Sequence, residues 1–205
     1  MFESLLTSPI APSGNAPPPY GNLNAGYYGV KTEQQVISAV DLAAAMGLTA
    51  GVRETSVPPS WLEFASHGTR ILYATRAFRH SLSWDQIYNA GGFFDTLGTQ
   101  GHPTSVVVRV QNAEVTIGGI RYRVRGMTVA EWNSLVLPLV QTWVPSIIGT
   151  MNIGNNNGSA RWMLDYTGTV NSRHWRGWTS AITVGNNPST STAFSGGWAP
   201  VLEPI

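Results

Sequence analysis

The stretch from Val115 to Val140 decides the fold class: V-T-I-G-G-I-R-Y-R-V-R-G-M-T-V-A-E-W-N-S-L-V-L-P-L-V. Gly118 and Gly119 separate two β-rich runs, as in a two-residue hairpin turn whose central positions need positive φ. In the second run apolar and basic residues alternate, so the basic side chains share one face of a strand. The arginines of that face are Arg121, Arg123 and Arg125. The stretch therefore predicts a β-hairpin.

A helix is predicted directly after this hairpin. Thr128 and Glu131 stand at the spacing of a capping box, in which hydroxyl and carboxylate satisfy the free N–H groups of a helix start. Apolar residues then recur at helical spacing, which predicts one apolar face lying on the sheet. Pro138 is predicted to kink or close the helix near its end. This segment builds a core and not an active site.

Composition excludes several function classes. Charged residues make up 11% of the chain, less than half the usual quarter, which favours loop-rich β or irregular structure. A net charge of +1 gives no reason to expect nucleic acid or an anionic membrane as a partner, and suits a chain inside an assembly. With no cysteine there is no disulfide, no thiolate metal site and no cysteine nucleophile.

The sequence predicts neither a signal peptide nor a membrane span. The first residues contain an acid, Glu3, and lack the basic n-region of a secretory signal. No stretch approaches the 18 or so apolar residues that a transmembrane helix needs. We therefore expect a protein made and used without export through a signal peptide.

The N-terminal quarter is predicted to be an arm followed by a short helix. Residues 1–29 are rich in proline and glycine, which excludes a helix and leaves an extended arm or a disordered tail. The tyrosines Tyr20, Tyr27 and Tyr28 favour an arm that docks on another surface, of the same chain or of a partner. Thr32 to Met46 is predicted as one helix, with Thr32 and Gln35 as its capping box. Residues 1–52 are interpreted as an assembly or anchoring segment, and residues 53–205 as one domain.

The middle of the chain predicts three further elements. W-L-E-F-A and R-I-L-Y-A-T form a hairpin with Gly68 in its turn. Ser83 and Gln86 form a capping box that opens a short helix. The β-branched run from Ser105 to Val110 predicts a central strand that is buried on both faces.

The last third predicts long loops held by tryptophans. Asn152 to Ser159 and Val184 to Ser195 have loop composition. A tryptophan buries a large area and its N–H needs a partner, so this region is expected to be ordered. The tryptophans concerned are Trp143, Trp162, Trp175, Trp178 and Trp198. The predicted fold class is α+β.

Three blocks resemble a family of tailed-phage virion proteins, many of them tail-fibre or other structural proteins. They are W-L-E-F-A-S-H-G-T-R-I-L-Y-A-T-R-A-F-R-H-S-L-S-W-D-Q-I-Y-N-A-G, V-T-I-G-G-I-R-Y-R-V-R-G-M and G-G-W-A-P-V-L-E. The last is similar to the Gly-Phe-Arg-Pro-Val-Leu ending of the C-type-lectin-like fold of formylglycine-generating enzymes and of phage receptor-binding proteins. The resemblance covers about residues 47–205 and implies a C-type-lectin-like mixed domain.

The chain departs from this pattern where Trp198 and Ala199 replace Phe and Arg, which puts the role of that Arg in doubt. Formylglycine-generating enzymes work through cysteines that hold copper, and this chain has none. A depolymerase needs a pair of carboxylates, whereas Asp165 is the sole acid in the aromatic-rich third before Glu203. The histidines His67, His80, His102 and His174 lack metal-ligand spacing. We therefore expect no enzyme, no cofactor and no metal.

Val170 to Thr179 is the predicted ligand surface. Trp175 and Trp178 would stack on sugar faces, with donors from the basic residues between them. The donors are Arg173, His174 and Arg176, and the framing loops carry Asn155, Asn156, Asn186 and Asn187. In the alternative interpretation the tryptophans are core anchors and the arginines cap carbonyls. The stripe of Arg121, Arg123 and Arg125 also has two interpretations. It either contacts an acidic neighbouring subunit or forms a solvated or ion-paired face of the sheet.

The sequence thus predicts a phage virion protein, made in the host cytoplasm and located in the virion. The first hypothesis is a tail-fibre or tail-tip component in host attachment, which binds a cell-surface glycan or protein. The alternative is architectural: a head decoration, collar or fibre-base protein, with Tyr20, Tyr27, Tyr28 and the arginine stripe in subunit contacts. Either way the expected partners are other virion proteins and further copies of the chain, with a homotrimer favoured.

Overall fold

The structure, a computed structural model, describes residues 16–55, 58–93, 110–153, 160–166, 171–192 and 196–205. Within them the strands form two sheets, and a few short helices accompany these sheets. The α+β class predicted from the sequence is therefore confirmed. The predicted strand from Ser105 to Val110 lies outside the described residues except for Val110, which is exposed.

Seven of the described strands form the first sheet. In chain order they are β1 (Tyr20–Gly21), β2 (Ala25–Lys31), β4 (Trp61–Ser66), β5 (Thr69–Ala74), β7 (Glu114–Ile117), β8 (Ile120–Arg125) and β13 (Val201–Pro204). Their spatial order is β1-β2-β4-β5-β13-β8-β7, and all the neighbours are antiparallel. The C-terminal strand therefore joins the two hairpins that the sequence predicts.

Both hairpins turn through two residues with positive φ. Gly118 and Gly119 have φ of 56° and 83°, and His67 and Gly68 have φ of 48° and 81°. Two positive φ values in succession match the right-handed twist of the flanking strands. Both predicted hairpins are confirmed. The positive φ of His67, however, could not be predicted from its residue type.

Six of the described strands form the second sheet, in the order β11-β10-β9-β12-β6-β3. They are β3 (Val52–Arg53), β6 (Arg79–His80), β9 (Ala160–Tyr166), β10 (Ser172–Arg176), β11 (Val184–Pro188) and β12 (Gly196–Trp198). The prediction of a loop from Val184 to Ser195 is wrong over β11, because each of its residues pairs with one of β10. Similarly, Trp162, Trp175 and Trp198 lie in strands and not in loops.

The predicted helix from Thr32 to Met46 is divided into two. Its capping box forms, but it opens only a 3-10 turn, Glu33–Gln35. A new helix, α1 (Ala39–Ala45), begins after Ser38, whose hydroxyl accepts the N–H of Asp41. The Glu33 carboxylate accepts the N–H of Ala39 at 2.6 Å. These two acceptors stabilise a second helix start inside the apolar run.

The capping boxes of Ser83 and Thr128 are confirmed at the starts of α2 (Trp84–Asn89) and α3 (Val129–Glu131). Beyond α3 the helix continues in wider π turns, Trp132–Val136 and Leu139–Trp143. The prediction for Pro138 was that it kinks or closes the helix. The helix passes through Pro138, so closure is wrong, and a kink stays a prediction. The wider turns accommodate a residue that has no N–H to donate.

The described apolar residues of both sheets and of the helices share one hydrophobic core. Its buried indoles donate to carbonyls that are distant in sequence: Trp61 to Ile37, Trp84 to Met163, Trp132 to Ala181 and Trp162 to Leu82, at 2.9–3.1 Å. These bonds tie helices and loops to the sheets, as the need of a buried indole for a partner predicts. The segment 1–52 contributes to the same core through Tyr27, Leu42 and Leu48, and β3 crosses the predicted boundary at residue 52.

Candidate functional site

The predicted ligand residues lie on the hairpin of β10 and β11. In its register Arg173 is opposite Asn187, His174 is opposite Asn186, and Trp175 is opposite Gly185. Successive residues of a strand point to opposite faces. The predicted set is therefore divided between two faces and does not form one continuous surface.

One face of the hairpin is buried. The guanidinium of Arg173 is inaccessible to solvent. Its central carbon lies 4.4 Å from the centre of a Trp84 ring, and one of its N–H groups donates to the carbonyl of Ser172. The ring of Trp175 lies over Gly185, where a Cβ atom would overlap the indole. Arg173 and Trp175 therefore pack inside the protein, as in the alternative interpretation of core anchors.

Arg176 joins the hairpin to the helix that begins with α3. Its guanidinium donates to the carbonyl of Ile182 and to the side-chain oxygen of Asn133, both at 3.4 Å. Burial lowers the pKa of the Arg176 guanidinium below its ordinary value, and the charge of Asp165 partly offsets this. Arg176 is therefore held within the protein and is not directed toward a ligand.

Residues 177–183 connect the two strands and are fixed at several points. The indole of Trp132 donates to the carbonyl of Ala181 at 2.9 Å. The hydroxyl of Thr183 is 2.8 Å from those of both Thr179 and Ser180, and its N–H donates to the carbonyl of Ser180. This connection is a turn that hydrogen bonds hold in place at several points.

Three apolar side chains project from this turn and the start of β11. Trp178 is 37% exposed, Ile182 63% and Val184 49%. We call these three residues the hairpin tip. The ring of Trp178 meets that of Trp175 edge to face, with centroids 5.4 Å apart, so a buried indole supports an exposed one. An apolar platform held in this way can bind another surface at a low cost in conformational entropy.

The remaining predicted ligand residues differ in accessibility. Asn186 is exposed, and the facing His174 and the neighbouring Asn187 are partly buried. Asn155 and Asn156 lie outside the described residues. Among the described members of the predicted set, Trp178 and Asn186 are exposed, whereas Ile182 and Val184 of the hairpin tip were not predicted as ligand residues.

The tyrosines predicted as assembly contacts have partners within the chain. Tyr27 is buried against Phe64, with ring centroids 5.6 Å apart. Tyr28 donates its hydroxyl to the carbonyl of Ala16 at 3.0 Å, and the guanidinium carbon of Arg70 is 3.9 Å from the centre of its ring. Burial also raises the pKa of Tyr27. Tyr20, which stays largely exposed, is the member of this set available to another subunit.

Two arginines of the β8 stripe are paired with acids of the same chain. Arg121 meets Glu114 of β7 at 2.6 Å, at the protein surface. Arg125, at the other end, is buried against Glu131 and Glu203. Arg123 lies between them and faces Glu114 and Glu203 in the neighbouring strands. A role of these arginines in assembly stays a prediction, and Arg121 and Arg125 are already ion-paired within the chain.

A groove beside α1 was not predicted from the sequence. It encloses about 300 Å³, and apart from Thr49 and two arginines its lining is apolar. The lining residues are Ala39, Val40, Ala43, Ala44, Leu48, Thr49, Arg53, Phe78 and Arg79. Consecutive alanines in α1 are the signal that could have revealed it, because small side chains on a packed helix leave room beside it.

No protein-family model, curated protein or solved structure matches the chain. Among the described residues no three His, Asp or Glu side chains converge so as to hold a metal ion. None of the helices in that part of the chain combines the length and the apolar character needed to cross a bilayer. The hairpin tip and the groove beside α1 are therefore the candidate sites in the described part of the chain.

Proposed function

We propose that the chain is a virion protein of a tailed phage and that its hairpin tip contacts the host cell during attachment. The single observation that carries the attachment role is the exposure of Trp178, Ile182 and Val184 on a turn that is hydrogen-bonded in place. Most other tryptophans of the described residues are buried and donate to backbone carbonyls. An exposed indole on a fixed support is typical of a contact residue in a binding surface.

The phage context of the proposal comes from the resemblance of the three sequence blocks between residues 61 and 203. A C-type-lectin-like arrangement is the finer form of the fold that we propose, and it is compatible with two sheets, the first of which holds the C-terminal strand between two hairpins. In this function Trp178 stacks on an apolar face of the receptor, for instance a sugar ring, while Asn186 supplies a hydrogen-bonding amide nearby.

The alternative function is architectural, as a decoration, collar or fibre-base protein. Tyr20 and the apolar groove beside α1 favour it, because both are exposed and lie away from the hairpin tip in the sequence. The arginine stripe gives the architectural function less support, since Arg121 and Arg125 form ion pairs with acids of the same chain.

An adsorption competition tests the attachment role. Purified full-length chain is added to host cells before the phage, and adsorbed particles are counted. We expect the wild-type chain to block adsorption, and the double change Trp178→Ala and Ile182→Ala to abolish the block while the protein stays folded. Ile148→Ala is the matched control, because Ile148 is an exposed apolar residue outside the hairpin tip.

Either of two results would reject attachment through the hairpin tip. In the first, folded wild-type chain does not compete with the phage at concentrations well above those of the particles. In the second, the double variant competes as well as the wild type. Trp175→Ala is not a suitable probe, because that indole is buried and its loss would disturb the fold.

A further inference from the structure

The groove beside α1 is a preformed feature with a buried floor. Leu48 and Phe78 lie at its base and are almost inaccessible to solvent, whereas Val40 and Ala44 form an exposed wall. Its volume of about 300 Å³ is at the lower end of the range for ligand pockets. It therefore has room for a few side chains of a bound segment.

Hydrogen bonds hold both sides of the groove. On one side, the indole of Trp61 donates to the carbonyl of Ile37, next to the start of α1. On the other, the guanidinium of Arg79 donates to the carbonyls of Thr49, Ala50 and Gly51 at 2.5–2.9 Å. A site fixed in this way costs little to organise when a partner binds.

The charge of the groove is positive. Arg53 and Arg79 are its charged lining residues, and no acid lines it. The guanidinium of Arg79 is committed to the three carbonyls. Arg53 is exposed, and its side chain makes no hydrogen bond or ion pair within the part of the chain that the structure describes. The groove thus fits a segment with apolar side chains and one carboxylate.

We propose that this groove binds residues 1–15 of a second copy of the chain. That segment, M-F-E-S-L-L-T-S-P-I-A-P-S-G-N, has apolar side chains at Phe2, Leu5, Leu6 and Ile10, and Glu3 is its one charged side chain. It contains no lysine or arginine. Its composition is therefore the complement of the lining, with Glu3 as the partner of Arg53.

The length of this segment is compatible with a second copy as its source. Ala16 is held by Tyr28 of β2, in the seven-stranded sheet, whereas the groove borders β3 and β6 of the other sheet. Fifteen residues can span at most about 50 Å, against a radius of gyration of about 17 Å for a domain of this length. The segment is thus long enough to reach a neighbouring copy. This inference holds whether or not the hairpin tip contacts a host cell.

Photocrosslinking in the full-length chain tests the proposal. Ala44, exposed on the groove wall, is replaced by benzoylphenylalanine, and isotope-labelled and unlabelled copies are mixed before irradiation. We expect crosslinks to residues 1–15 that join labelled with unlabelled copies. Crosslinks confined to one copy, crosslinks to another part of the chain, or their absence would overturn the proposal.

A charge reversal provides the specific control. Arg53→Glu should lower the crosslink yield by about fivefold, the upper range for an exposed ion pair. Adding Glu3→Arg to that variant should restore it, because the pair is rebuilt with opposite signs. Arg121→Glu, which changes an exposed arginine outside the groove, should leave the yield unchanged. A yield that Arg53→Glu does not alter would contradict the assigned pairing.

Discussion

Arg125 and Glu131 form a two-point ion pair, with Nη1 to Oε2 at 2.8 Å and Nη2 to Oε1 at 2.6 Å. The same carboxylate accepts the N–H and the hydroxyl of Thr128, so it also completes the capping box of α3. Glu203 of the C-terminal strand adds a third side chain at 3.0 Å from Arg125. One carboxylate thus links β8 to the helix that covers it.

We expect Glu131→Gln to lower the free energy of unfolding by about 3 kcal/mol. This value is at the lower end of the range for breaking a buried ion pair, because Glu203 still faces Arg125 in the variant. Glu114→Gln is the matched control. Its pair with Arg121 has the same distance of 2.6 Å but lies at the surface, so the expected loss is below about 1 kcal/mol. Urea unfolding measures both values, and equal losses would contradict the assigned difference in burial.

The same pair predicts a dependence of stability on pH. Burial alone would raise the pKa of the Glu131 carboxyl, but the hydrogen bonds and charge of Arg125, together with Thr128, lower it below its ordinary value of 4.5. A carboxyl with a lowered folded pKa stabilises above the unfolded pKa, and this stabilisation is lost as the pH falls through the folded pKa. Wild-type stability should therefore drop below about pH 4.5. Glu131→Gln should show a smaller drop when urea unfolding is repeated across this range.

Gly185→Ala should destabilise the hairpin of the candidate site. The indole of Trp175 lies where the new methyl group would be, and overpacking of this kind costs about 1–3 kcal/mol. Gly149→Ala is the control, because Gly149 has helical φ and ψ of −67° and −40° and no atom near its Cβ position. Thermal unfolding should show a lower midpoint for the first variant and an unchanged or higher one for the second. The reverse order would show that Trp175 does not lie over β11.

The sequence predicted those parts of the fold that depend on local chemistry. Gly118 and Gly119 need positive φ, and Thr128 and Ser83 need a partner three residues on, so their turns and helix starts could be recognised. The sequence did not predict the division of the first helix, because the new helix start depends on Ser38 and Glu33 together. The Glu33 carboxylate accepts from the N–H of Ala39, six residues further on, and this spacing is not a familiar capping motif.

The candidate site was predicted only in part, because its strands carry no clear alternation of polar and apolar residues. V-G-N-N-P has the composition of a loop, and it becomes β11 through pairing with β10. Arg173 and Arg176 looked like ligand donors because arginine is usually exposed, yet both are buried. Only tertiary packing distinguishes Trp175, which supports the turn, from Trp178, which projects from it.

Trp175 and Trp178 should therefore respond differently to truncation. Trp175→Ala removes a buried ring and should cost about 3–5 kcal/mol of unfolding free energy. Trp178→Ala removes a partly exposed ring and should cost about 1 kcal/mol or less. Urea unfolding followed by far-ultraviolet circular dichroism measures both. If Trp178→Ala were as costly as Trp175→Ala, the hairpin tip would be a core element and its role in attachment would lose its support.

Tyr73→Phe should leave the protein as stable as the wild type or more so. The hydroxyl of Tyr73 is buried and has no hydrogen-bond partner within the described residues. Removing an unsatisfied buried donor relieves a penalty of about 1–3 kcal/mol, while the edge-to-face contact of the ring with Trp132 remains. Tyr28→Phe is the control, since it removes a hydroxyl that is bonded to Ala16 and should cost up to about 1 kcal/mol.

Alkaline unfolding provides a second test of the buried hydroxyl of Tyr73. Burial raises the pKa of Tyr73 from 10.0 to about 12, with the charge of Arg161 opposing the shift and that of Glu131 adding to it. A group whose folded pKa is raised stabilises below the unfolded pKa, and that stability is lost as the pH rises from about 10 toward 12. Because phenylalanine does not ionise, Tyr73→Phe should flatten the decline of stability across this window. An unchanged decline in that variant would mean that the hydroxyl of Tyr73 is solvated in the folded protein.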